Sequence, residues 1–153
     1  MSAESTSPTV VEGTLDPAIL SGALSATADL IVLPLEYDDE GMALYSEPSV
    51  ITVKTLRADG IDAAFLDSPD SRMFEVKKGN LETLVATLVI GIASNAAWDA
   101  LKVLVRARAA RLKLTFVELR DGNKRRGQAW TVEGDSDAVL AAIDKLRDDD
   151  AVT

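Results

Sequence analysis

The sequence predicts an α+β fold: a mostly antiparallel sheet of about five to six strands, with one long apolar helix and a C-terminal amphipathic helix packed on a face. Three observations predict it. Short runs rich in β-branched residues, bounded by turn residues, recur along the chain. A stretch from Leu81 to Arg111 contains no proline and holds sixteen consecutive uncharged residues, Thr83 to Trp98. Near the C-terminus, Val139, Leu140, Ile143 and Leu146 recur at the spacing that puts them on one side of a helix.

Residues 1–15 are rich in Ser, Thr and Glu and read as a flexible arm. Asp16 suits an N-cap and Pro17 the first helical position, so 17–26 is a short helix. Leu30 to Leu33 precede Pro34 as an apolar strand within 29–37, and Asp38-Asp39-Glu40-Gly41 is a turn. From Val50 to Arg57, Ile51, Val53 and Thr55 alternate with Thr52 and Lys54, which predicts a strand. Asp59-Gly60 is a two-residue hairpin signal, with 61–66 as the returning strand. After the turn at Ser68-Pro69-Asp70-Ser71, residues 72–77 complete an antiparallel meander. Asn80 caps the long helix 81–111, about 45 Å if straight. Strands follow at 112–119 and 127–133, separated by the loop 121–126. Asp135 then caps the last helix, and Asp148-Asp149-Asp150 lies in an acidic tail over 148–153. Residues 16–147 form a single domain.

Composition narrows the chemistry. The 153 residues contain no Cys and no His. Disulfides, thiolate metal sites, iron–sulfur clusters and cysteine nucleophiles are excluded, as are Ser-His-Asp and Cys-His arrangements. Asp, Glu, Lys and Tyr remain as possible catalytic groups, but no spacing joins Glu75, Glu118 and Glu133 into an acid/base pair. The carboxylates of 37–40 match no calcium loop, and Gly79 and Gly91 are isolated, so no phosphate loop exists. No cofactor or metal is expected, and the chain reads as a non-enzyme. The start lacks a basic segment followed by an apolar run, which reads as cytoplasmic.

Charge is unevenly placed. The net charge is −9, yet Lys102 to Arg126 holds nine basic residues against Glu118 and Asp121. The other 7 basic and 23 acidic residues leave −16 elsewhere. Such asymmetry favours self-association or docking on an anionic surface. Lys124, Arg125 and Arg126 at a hairpin tip are the candidate contact for an anionic partner, although no aromatic beside them offers stacking to a nucleic acid; the alternative is a solvated loop.

The candidate interaction surface is on helix 81–111. Leu84, Leu88 and Ile90 lie in a segment apolar on all sides, and a helix of that kind is covered on all sides. The cover is either the chain itself, a second subunit, or a membrane, for which the run is short. Gly91 and Ser94 are small enough for close approach of another helix. Asn95, Trp98, Asp99 and Lys102 share a face, either as a polar patch that fixes register with a partner or as a surface ion pair beside a half-buried indole.

From Val50 onward the order is strands, a greasy helix centred on Ile92-Ala93-Ser94-Asn95-Ala96-Ala97-Trp98-Asp99-Ala100-Leu101-Lys102, an antiparallel hairpin and a closing amphipathic helix. This resembles the effector-associated constant components, small domains found beside effectors in bacterial conflict systems. The resemblance rests on element order and implies a non-catalytic adaptor that couples to a partner protein; it carries over no functional residue. The expected function is a self-associating interaction or assembly module using helix 81–111, a homo-oligomer or a protein's partner. The alternatives are a structural component of a particle such as a phage virion, with its N-terminal arm ordered on a neighbour, and a small membrane-associated protein.

Overall fold

The computed structural model describes residues 7–74, 85–119 and 127–152. Its elements are β1 (Thr9–Thr14), α1 (Pro17–Ser25), β2 (Leu30–Val32), β3 (Glu36–Tyr37), β4 (Ala43–Tyr45), α2 (Pro48–Ala58), β5 (Ala63–Phe65), β6 (Arg72–Phe74), β7 (Val85–Ile92), α3 (Asn95–Arg108), β8 (Arg111–Glu118), β9 (Gln128–Asp135) and α4 (Ser136–Val152). The main sheet has the strand order β1-β9-β8-β7-β2-β5, and β3-β4-β6 form a second, three-stranded sheet.

The α+β class is as expected, but the main sheet is mixed rather than mostly antiparallel. β7 runs parallel to β8, and β2 parallel to β5. The β2–β5 pair is parallel with α2 lying between its strands, and the cause of the β7–β8 pair is the segment expected to be one helix over 81–111. Residues 85–92 are instead a strand and 95–108 a helix. The break falls where the Ser94 side chain accepts a hydrogen bond from Ala97 N, 3.1 Å, and caps α3. The unit β7-α3-β8 is then a crossover, which makes its two strands parallel. A strand buried on both faces is apolar at every position, so its composition has no period to distinguish it from a buried helix.

The meander predicted from 50–57, 61–66 and 72–77 is not formed. Residues 48–58 are helix α2, with Pro48 in its first turn. Ser49, Thr52, Val53 and Leu56 are its buried residues, a helical spacing that the alternation of β-branched residues hides. Asp59-Gly60 makes no hairpin. Gly60 has φ +85°, Gly60 N donates to Arg57 O and Ile61 N to Leu56 O, which is the Schellman closure of a helix C-terminus. The helices over 17–25 and 136–152 and the strands over 111–118 and 128–135 lie where the sequence places them. Asp148, assigned to the acidic tail, lies within α4, and residues 9–14, assigned to the arm, are strand β1.

Two layers of side chains cover the sheet. On one face, Leu88, Ile90 and Ile92 of β7 join Leu112, Leu114 and Phe116 of β8 and Trp130 and Val132 of β9. Val53 and Leu56 of α2, Trp98, Leu101 and Val105 of α3, and Val139, Leu140 and Ile143 of α4 close that face. Each large apolar side chain enclosed in this way contributes about 1.5–3 kcal/mol. On the other face, Ile19, Leu20 and Ala23 of α1 pack over Ile31, Leu33, Val89, Val117 and Ala129. Gly91 sits in the middle of this second layer. A Cβ there would meet Leu119 Cδ1 at 2.7 Å, so the missing side chain makes room for a side chain of the same molecule, not for a partner helix.

Candidate functional site

The residues expected to form an interaction surface divide between the interior and the surface, Asn95 and Asp99 being exposed. Leu88, Ile90, Gly91 and Trp98 are buried. Leu84, Lys124, Arg125 and Arg126 lie outside the described residues. Ser94 is the cap of α3 described above. Asn95, Trp98 and Lys102 form a polar seam whose partner is the chain's own α4, while Asp99 stays exposed beside Lys102. Trp98 Nε1 donates to Asp144 Oδ1 at 2.6 Å, and Lys102 Nζ donates to both Asp144 oxygens at 3.2 Å. Asp99 lies 3.5 Å from Lys102 Nζ. The Arg147 guanidinium and the Lys102 ammonium each lie 5.7 Å from the Trp98 ring.

At the buried end of the seam, Arg147 Nε donates to Glu118 Oε2 at 2.7 Å and Arg147 Nη2 to Asn95 Oδ1 at 2.9 Å. The Arg147 and Glu118 side chains are 6% and 9% exposed. A charge pair that dry is stable only with both partners present; removing one leaves a desolvated charge. The Asp99–Lys102 ion pair is present as the sequence suggested, and the other polar contacts join α4 to α3 and β8.

A second cluster was missed by the sequence. The phenols of Tyr37 on β3 and Tyr45 on β4 both donate to Asp67. Tyr37 Oη is 3.1 and 3.2 Å from the two carboxylate oxygens, and Tyr45 Oη is 2.8 Å from Oδ2. Asp67 N donates back to Tyr45 Oη at 3.0 Å. Burial, then the negative charge of Asp67 and its hydrogen bond, push the Tyr37 phenol up to about 12. Burial chiefly raises Tyr45 as well. Both are neutral donors near pH 7 and cannot act as bases there. Beside them Tyr45, Phe65 and Phe74 form an aromatic group, and the Arg72 guanidinium lies 4.3 Å from the Phe65 centroid. These contacts, between residues 22 and 30 positions apart, tie the small sheet to the end of β5. No local pattern could have revealed them.

A cleft of about 500 Å³ lies at the start of α4, lined by Arg106, Ala109, Ala110, Asp135, Ser136, Asp137 and Ala138. Its charges are paired with one another: Arg106 with Asp137 at 3.4 Å and Arg111 with Asp135 at 3.1 Å.

The outward-facing feature is the edge of the main sheet. β1 pairs with β9 over its full length, from Thr9 opposite Glu133 to Thr14 opposite Gln128. Among the described residues no strand lies beyond it. All six of its residues are exposed, Val10 and Val11 by 46% and 57%. Val10 and Val11 point to opposite faces. Val11 lies beside Thr131 on the α1 side, and Val10 beside Val132 on the α4 side. Between 9 and 14 there is no Pro, no Lys and one charge, Glu12, whose carboxylate accepts from Gln128. The Thr-Val-Val-Glu-Gly-Thr run carries a β signal in its four β-branched residues, which the polar neighbours on its N-terminal side obscure.

Comparison of this chain with protein-family models, with curated proteins and with solved structures returns no match.

Proposed function

We propose that the chain is a non-enzymatic, self-associating interaction module whose contact is the free edge of β1. The observation that carries this reading is the exposed edge of a six-residue strand that, within Thr9–Thr14, holds no Pro, no Lys and a single charge, Glu12, with no strand beyond it among the described residues. Natural sheets blunt such edges with Pro, Lys, bulges or cover, because an unguarded edge adds another strand. The lack of His and Cys supports the non-enzymatic part. The reading keeps the adaptor role that the resemblance implies, and moves its contact from helix 81–111 to β1. No described helix is long and apolar enough to cross a membrane.

Light scattering over a concentration series tests it. The chain should exceed its monomer mass of 16.3 kDa as concentration rises, and Val11→Lys should return it to that mass without changing its melting temperature. A chain that stays at 16.3 kDa up to about 1 mM, the concentration at which even a 4.1 kcal/mol contact half-forms, overturns the reading.

A further inference from the structure

Resting on that reading, we infer that the occupant of the β1 edge is a second copy of this chain, paired antiparallel about a two-fold axis through Val11. Two copies joined edge to edge by antiparallel strands are related by a two-fold axis normal to the sheet. That axis keeps every residue on its own face of the sheet, so a residue can oppose only a residue of the same parity. Thr9, Val11 and Gly13 lie on the α1 side with Glu133, Thr131 and Ala129; Val10, Glu12 and Thr14 lie on the α4 side with Val132, Trp130 and Gln128. Three centres then use the middle of the strand: Val10, Val11 or Glu12.

Charge and overlap choose among them. A centre at Glu12 sets the two carboxylates directly opposite each other, which is destabilising. A centre at Val10 overlaps only residues 9–11, three residues a side against the five of a centre at Val11. A centre at Val11 pairs residues 9–13 on both copies. It opposes Val11 to Val11, the more exposed of the two valines, and Val10 to Glu12, so the carboxylates are offset. The contact is isologous and consumes β1 on both copies, so growth stops at a dimer with one twelve-stranded sheet. Five residues a side is far below the 20–30 of a standard interface, so the dimer is weak and concentration-dependent. Both copies carry −9, so added salt strengthens it.

The absence of native Cys makes single-cysteine cross-linking a direct test. Directly opposed Cα atoms in an antiparallel pair are about 4.5–5.5 Å apart, within disulfide reach. Val11→Cys should therefore form a covalent dimer on mild oxidation. Val10→Cys and Glu12→Cys, each offset from its own copy by two residues or about 7 Å along the strand, should not cross-link alone but should cross-link when mixed. Thr9→Cys, four residues from its own copy, serves as the exposed control and should not cross-link. Cross-linking of Val10→Cys or Glu12→Cys alone, with Val11→Cys inert, overturns the two-fold at Val11 but leaves self-association through β1 standing. Assembly in light scattering with no cross-link from any of the four overturns the β1 reading itself. A monomer with no cross-link overturns both.

Discussion

Strands β7 and β1 belong to the same sheet, three places apart, and invert what their sequences suggest. β7 is the more apolar, Val-Ala-Thr-Leu-Val-Ile-Gly-Ile, and its Leu88, Ile90 and Ile92 are buried in the chain's own core. β1 carries two valines in a polar setting and has one row of backbone groups without a partner strand among the described residues. Apolar content reports how many sides an element has covered; place in the sheet decides which element has bonding capacity left over. A chain of this size can enclose so greasy a segment because the segment is a strand. Two flat faces need only one layer of helices each, whereas a helix needs cover around its whole circumference.

Five substitutions break or sharpen that contrast, taken from the largest effect on folding to the smallest. Ile90→Asp puts a carboxylate at a fully buried position of β7 and should cost more than about 4 kcal/mol, unfolding the chain rather than dispersing an assembly. Denaturant melts followed by circular dichroism check it; native melting would mean that β7 is not central. Arg147→Ala removes the buried ion pair with Glu118 under α4 and should cost about 3–5 kcal/mol by the same melts.

Tyr45→Phe removes a hydroxyl that both accepts from and donates to Asp67, for about 1–3 kcal/mol. The same pair sets an alkaline limit. Tyr37 titrates near 12 when folded and near 10 when unfolded. Its contribution is therefore complete below pH 10 and lost as pH rises through 12, since the unfolded chain releases the proton first. Melting temperature should fall over that window, and Tyr37→Phe should flatten the fall. Val11→Lys should change stability by no more than about 0.5 kcal/mol while abolishing association, which separates the edge from the core.

Much of the architecture is readable from local signals. Asp16-Pro17 opens α1, and the spacing of Val139, Leu140 and Ile143 gives α4 its buried stripe. The failures share a cause. At 50–57, β-branched residues alternate, yet Pro48 and the 49-52-53-56 spacing specify a helix whose apolar side is needed over the sheet. At 85–92, an unbroken apolar run carries no period, and the Ser94 cap that divides strand from helix is one residue in a small-residue tract. Of the candidate site, Asn95, Trp98, Asp99 and Lys102 are correctly grouped, because helical spacing fixes them on one face. That the face meets α4 depends on Asp144 and Arg147, some fifty residues later, which spacing on α3 alone cannot disclose. Leu84 and Lys124 to Arg126 lie outside the described residues.

The indole of Trp98 lies within 5.7 Å of two cations and hands its N–H to a carboxylate, all but one of these partners being supplied by the last helix. Peeling α4 away would strip those neighbours and admit water to the ring, while Trp130, stacked on Phe116 within the sheet, keeps its own neighbour. Intrinsic fluorescence with Trp130→Phe thus becomes a single-site optical gauge of C-terminal docking, able to show the helix lifting off before the sheet melts.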